Sequence, residues 1–302
     1  MAKTAVILGA SGRFGRNAAL AFERAGWQVR RFQRGRDDLN RMSDGAQVIV
    51  HGWNPVYTDW AKQVPQLTAQ VIAAARSSGA TVVMPGNVYV FGPQTPAPWS
   101  ETAPHAAQNP LGRIRITMEQ TFRDAGVQTI LLRGGDFLDT EASGNWFDRM
   151  MIPKLGQGIF TYPGNPDLPH AWAYLPDFTR AAVALAEKRA ELPQFADIPF
   201  PGYTLSGAEM HRGLSAVTGQ ELRLKRMSWL PLHLAAPVWP LGRKLLEMRY
   251  LWDTPHWLDG RLFRSLLPEF QATPVTTALA AAIPSGLLGQ QVHPDQAVAA
   301  GL

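Results

Sequence analysis

The 302-residue chain contains no cysteine, which excludes disulfides, thiolate nucleophiles and zinc–cysteine clusters at the outset. A cysteine-free chain is compatible with any redox compartment. Its first strand-like run is reached by residue 5, however, which leaves no room for a signal peptide and makes the cytoplasm the expected location. Long apolar runs are also missing. The nearest approach, residues 229–242, is short of the roughly 20 residues of a spanning helix and holds three prolines and a histidine. It reads as a lobe element, a dimer contact or the lid of an apolar pocket, ahead of peripheral membrane contact through its tryptophans with Arg243 and Lys244. Membrane association is therefore not expected. The net charge of +5 is small and reads as dispersed arginines, without the interleaved aromatics of a nucleic-acid surface. No internal repeat or low-complexity linker stands out, and no metal is expected.

What is present is concentrated at the start. The apolar run Val6, Ile7, Leu8 breaks into Gly9, Gly12 and Gly15, spaced G-x-x-G-x-x-G, and then into a helical pattern closed by Gly26. Glycines allow a tight turn, close approach of backbone to a pyrophosphate and close helix–strand packing, while the helix N-terminus offers unpaired N–H groups to phosphates. With a strand before it and a helix after it, the triplet reads as a dinucleotide cradle rather than a turn that binds nothing. Gly9, Ser11, Gly12, Arg13, Phe14 and Gly15 are the expected contacts. A second strand, 28–34, ends at Arg34, with Arg31 and Arg36 nearby. An acidic residue there would bind the ribose 2′-hydroxyl of NAD, whereas an arginine suits the 2′-phosphate of NADP. NADP is the expected cofactor and NAD the less favoured one. The competing reading is that these arginines are solvated surface charges.

Residues 35–45 are too short and polar for the strand and helix that a doubly wound sheet inserts next, so its third strand is expected to be lost. The next strand, 46–50, runs into His51 and Gly52, followed by a helix over 59–75. A strand at 81–84 leads into Pro85, Gly86 and the loop to Gly92, and a proline-rich stretch precedes a helix over 115–125. A strand at 129–132 then ends near Asp136. This alternation predicts an α/β Rossmann fold, a doubly wound parallel sheet whose strand ends hold the ligand. His51, Gly52, Pro85 and Gly86 join the expected cofactor contacts. The dinucleotide domain is expected over 1–190. A smaller C-terminal α+β substrate or lid lobe is expected over 191–302, with interleaving of the two left open.

These residues resemble the extended and atypical short-chain dehydrogenases, the NAD(P)-dependent epimerase/dehydratase family. The likeness is carried by the Gly9 to Gly15 loop, the His51 loop, the segment from Val88 to Gly92, and the helix start at Tyr174, Leu175, Pro176 and Asp177. It covers most of the first 190 residues. It implies hydride transfer on a small-molecule substrate and a homodimer through the helices at 59–75 and 115–125, which carry more apolar residues than solvent-facing helices need. The family uses a tyrosine, a lysine four positions later on the same helical face, and a serine or threonine; the lysine lowers the phenol pKa and binds ribose. No tyrosine here has a lysine at that offset. The matching helix puts Leu111 in the tyrosine position and Arg115 in the lysine position, and Asn87 falls where the serine would be. Arg115 can still bond ribose hydroxyls and Asn87 can still donate to a carbonyl, but leucine moves no proton.

Tyr89 is the first candidate to replace it, provided the chain from Asn87 stays regularly extended so that both side chains point the same way. Asp136 and His51 follow, with a structural role favoured for His51. Trp99, Trp146, Phe147, Trp172 and the tryptophans of 229–257 read as core before cleft lining. Two functions are therefore expected. One is an NADP-dependent oxidoreductase or epimerase-like enzyme acting on a small or medium carbonyl or alcohol. The alternative is a catalytically silent NADP(H)-binding sensor or scaffold, supported by the lost tyrosine and opposed by the retained lobe.

Overall fold

The computed structural model describes residues 3–287. In chain order the elements are β1 (Thr4–Leu8), α1 (Arg13–Arg24), β2 (Gln28–Phe32), α2 (Leu39–Ser43), β3 (Val48–His51), α3 (Trp60–Ser78), β4 (Thr81–Gly86), α4 (Pro110–Asp124), β5 (Thr129–Arg133), β6 (Asp136–Leu138), β7 (Ile159–Tyr162) and β8 (His170–Tyr174). They continue with α5 (Leu175–Glu187), β9 (Phe195–Pro199), β10 (Tyr203–Leu205), α6 (Gly207–Thr218), β11 (Arg223–Arg226), α7 (Leu230–Ala235), α8 (Pro240–Glu247), α9 (Arg261–Leu266) and α10 (Val275–Ala282).

Six strands form one parallel sheet in the order β2-β1-β3-β4-β5-β9. Parallel strands covered on both faces read as unbroken apolar runs, and β1, β3 and β5 are buried throughout. Alternate residues feed different cores. Val6 and Leu8 pack with Trp60, Val71 and Phe122 of α3 and α4. Ala5 and Ile7 pack with Phe14, Phe22 and Phe178 of α1 and α5. The fold is thus a Rossmann doubly wound sheet with its topological switch point between β1 and β3. The third strand of the usual pattern is absent, as the short connection predicts. Between β2 and β3 stands only α2, capped by the Asp38 carboxylate accepting from Arg41 N, so β2 is a sheet edge.

Element ends differ from expectation for local reasons. β2 stops at Phe32 because Asp37 accepts the N–H of Gln33 (2.7 Å) and turns the chain there. α4 begins at Pro110, five residues earlier than expected. Proline suits the first helical turn, and the carboxylate of Glu247 accepts the N–H of Leu111 (2.5 Å). The apolar residues of the two helices expected at a dimer contact are consumed inside this chain: Val64, Leu67, Val71, Ile72, Met118 and Phe122 are all buried. Their outer faces carry Lys62, Gln66 and Gln70 on α3 and Arg113 and Gln120 on α4.

The lobe strands form a β10-β8-β6 sheet and a β11-β7 pair around a third core that includes Phe147, Phe160, Trp172, Trp229 and Trp252. The chain enters this lobe at β6, returns to the main sheet for β9 and leaves again, so the two units interleave on both sides of residue 190. Residues 288–302 of the expected lobe lie outside the described residues. Among the described residues no helix is long and apolar enough to cross a membrane.

Candidate functional site

The glycine loop is built for close approach. Gly9 sits at φ +72°, where side chains are strained, and a Cβ on Gly15 would lie 2.1 Å from the carbonyl oxygen of Gly9. A Cβ on Gly52 would lie 2.5 Å from that of Leu8. Gly12 caps α1 without a side-chain bond, and the first full helical bond is Arg16 N to Gly12 O (2.8 Å). The N–H groups of Arg13, Phe14 and Gly15 therefore head the helix unpaired, the arrangement that accepts an anion. Ser11 is exposed beside them. The Phe14 ring turns into the core against Phe178, leaving only its backbone to the loop. Arg13 reaches across to the carbonyl of Gly144 (2.9 Å), and Arg16 pairs with Asp139 (2.8 Å) and Glu141. The 139–144 segment is thereby strapped over α1.

Beyond β2, Arg34 lies over the Trp53 indole at 4.9 Å. Its two neighbours are otherwise engaged: Arg31 is bidentate to Glu23 (2.6 and 3.0 Å) and Arg36 donates to Gln33 (2.9 Å). Among the described residues Arg34 has no ion pair.

At the other end of the crevice, His51 is buried against Trp53 and Phe122. Burial, aided by the charge of Arg115, lowers its pKa to about 3, so it stays neutral. It belongs to the α3/α4 packing layer. Gly86 ends β4 where a Cβ would lie 2.3 Å from the Leu131 side chain, with Pro85 one step before it. The chain after Asn87 is not extended. Asn87 Oδ1 accepts the N–H of Tyr89 (3.1 Å) and caps a 3-10 turn, Val88–Val90. Asn87 and Tyr89 therefore diverge, and the condition attached to Tyr89 is not met.

That turn has a different consequence. It carries the Tyr89 ring to within 6.2 Å of Trp60 and its hydroxyl to 2.6 Å from the hydroxyl of Tyr57. Both phenols are raised in pKa, chiefly by burial and further by the Asp136 carboxylate, while Arg115 opposes the rise. Arg115 itself is buried, donates to Asn54 Oδ1 (2.7 Å) and stacks on Trp60 at 4.0 Å, with its Nε lacking a partner. Leu111 is wholly buried in the core. The Asp136 carboxylate, at the head of β6, accepts from His170 Nε2 (2.8 Å), and His170 stacks on Trp252 at 4.4 Å.

Sequence reasoning missed Tyr57, Trp60 and His170. Tyr57 lies 32 residues from its partner, and no local pattern marks the pair. Of the aromatic candidates, Trp99, Phe147 and Trp172 are buried core, while Trp146 is half-buried against Trp229 and Trp252. His105, Glu119 and Asp197 bring possible metal ligands within 4.8 Å of one another. The buried guanidinium of Arg133 already holds both carboxylates, at 2.8 Å to Glu119 and 2.5 Å to Asp197, which supplies the positive charge a cation would bring.

No family model matches the chain, and no curated protein matches it. Solved structures do. UDP-glucose 4-epimerase from Brucella ovis, in complex with NAD, is 16% identical at TM-score 0.71, covering 97% of this chain and 100% of that one. UDP-glucuronic acid 4-epimerase from Bacillus cereus, in complex with UDP-glucuronic acid and NAD, is 15% identical at TM-score 0.70, covering 92% and 97%. The NAD-dependent NDP-hexosamine 5,6-dehydratase TunA, of tunicamycin biosynthesis, is 16% identical at TM-score 0.71, covering 93% and 96%. At this identity the likeness is one of fold, and it extends over both the sheet and the lobe.

Proposed function

We propose that this chain holds a nicotinamide dinucleotide in the Gly9 to Gly15 cradle and acts as an oxidoreductase or epimerase-like enzyme on a small or medium carbonyl or alcohol. The cradle fits the group: α1 heads into it with unpaired N–H donors, and a Cβ on Gly12 would meet only Gly9 O, at 3.3 Å. The two named epimerases of the same fold were solved with NAD, one of them also with UDP-glucuronic acid, which makes a nucleotide sugar the first substrate class to try. Arg34, with no acidic side chain in its place, favours NADP over NAD. When bound, the cofactor supplies or accepts the hydride.

The observation that carries the reading is the Tyr57–Tyr89 hydroxyl pair beside Asp136. Raised pKa values keep both phenols protonated at neutral pH, so either can donate to a substrate oxygen. The other phenol then donates to the phenolate left behind, and the Arg115 charge favours that anion. Asn87 has its carbonyl oxygen engaged by Tyr89 N and keeps its amide N–H groups for a substrate carbonyl or the nicotinamide amide. His51, Gly52, Pro85 and Gly86 shape the backbone under the cofactor. The test is fluorescence titration with NADPH and NADH, followed by hydride consumption against aldehydes, ketones, enones and nucleotide sugars. Tyr89→Phe and Tyr57→Phe are expected to lower turnover by about 10²- to 10⁴-fold with cofactor affinity retained; unchanged turnover in both removes the pair from the mechanism.

One observation favours the silent sensor: Leu111 fills the family's tyrosine position and is locked in the core. Tight cofactor binding without turnover across the panel would support that reading.

A further inference from the structure

The α7–α8 hairpin is not used by the site chemistry. Its root is fixed, since Trp229 is buried and donates through Nε1 to the carbonyl of Pro163 (2.7 Å). Its tip faces outward. Leu230, Leu234, Val238 and Trp239 are 63%, 73%, 87% and 42% exposed, four of the eight large apolar side chains exposed among the described residues. Exposed apolar side chains gathered on one short hairpin mark an interaction site.

The hairpin and the strand before it also carry a positive surplus. Residues 221–253 hold Arg223, Lys225, Arg226, Arg243, Lys244 and Arg249 against Glu221, Glu247 and Asp253, a surplus of three. One oxygen of Glu247 is turned inward onto Leu111 N and Asn109, and the other accepts from Lys244 (2.9 Å). Arg243 bonds the carbonyl of Pro237 at the tip (3.3 Å), and Arg249 lies over Trp229 at 5.5 Å, beside His233 at 3.4 Å and in an exposed pair with Asp253 at 3.9 Å. The apolar tip is therefore rimmed by cations.

We propose that this hairpin docks the protein on an anionic bilayer surface, with Leu234, Val238 and Trp239 entering the headgroup–acyl boundary and Arg243 and Arg249 meeting lipid phosphates. Helices of six and eight residues lie in such an interface and cannot span it. A second copy of the chain suits this face less well, because a two-fold contact would set the same cations against each other. α8 packs on the turn Tyr57–Asp59, so docking brings the edge of the candidate site to the bilayer. The proposal is independent of turnover and of the cofactor.

The test is co-sedimentation of the full chain with vesicles of pure phosphatidylcholine and of phosphatidylcholine mixed with phosphatidylglycerol, at low and high salt. The expected result is binding to the anionic vesicles only, lost at high salt. It should weaken by about tenfold or more in Leu234→Ser/Val238→Ser and in Arg243→Glu/Arg249→Glu, with unfolding temperatures of both variants unchanged. Absence of binding, or equal binding to both vesicle types, overturns the proposal. So does a dimer in sedimentation that Leu234→Ser/Val238→Ser dissociates, which would assign the face to self-association.

Discussion

Arg133 sits wholly buried at the end of β5 and holds Glu119, Asp197 and the carbonyl of Asn87 at once. The paired carboxylates keep it charged and raise its pKa, while burial raises that of Glu119 despite the neighbouring guanidinium. Removing one member of such a set leaves charges stranded. Arg133→Met is expected to cost about 3–5 kcal/mol in denaturant unfolding, and it would release the backbone that positions Asn87. His51 gives a pH signature of the same kind. Its folded pKa of about 3 lies below the unfolded value of 6.5, so its stabilising preference is complete above pH 6.5 and is lost as pH falls from there toward 3. The slope is about 1.4 kcal/mol per pH unit for each such histidine. His105, lowered to about 4 by burial and by Arg133, adds to it. Thermal unfolding followed from pH 7 to pH 5 should show a steady fall, and His51→Phe should flatten it by one proton's share.

At the scale of elements, the glycine loop was legible because close strand–turn–helix packing demands a residue type at fixed spacing, and that demand is local. Gly15→Ala is expected to force α1 off β1, costing about 1–3 kcal/mol in thermal unfolding and abolishing dinucleotide binding in the titration. The lost third strand was legible too, from a connection too short to hold it. The turn after Asn87 was not. Asn87, Val88, Tyr89 and Val90 alternate like a strand, and what overrides the pattern is a side-chain oxygen competing for a backbone N–H. The early start of α4 carried a signal, Pro110, whose weight came from a distant carboxylate on α8.

For the molecule as a whole, the sheet could be read from the sequence and the site only in part. β1, β3, β4 and β5 declare themselves by their own apolar runs, while β2 is polar and β9 was expected in the lobe; Tyr57 and Tyr89 meet because β3 and β4 are neighbours, a fact of topology. The lobe was the least legible region, since its strands are short and its order along the chain interleaves with that of the sheet.

The loss of the third strand has a cost in colloidal terms. With β2 at the boundary of the sheet, a row of backbone N–H and C=O groups is left able to recruit an extended segment from another molecule, the first step of aggregation. Arginines stand guard there. Arg30 on β2 ties down α2 by donating to the carbonyls of Met42 (2.9 Å) and Asp44 (2.8 Å), and Arg31 keeps a charge on the same strand. Arg30→Val/Arg31→Val should leave the native fold standing, yet raise light scattering during refolding well above that of the parent chain. Unchanged scattering would show that α2 alone is enough to keep this border closed to neighbours.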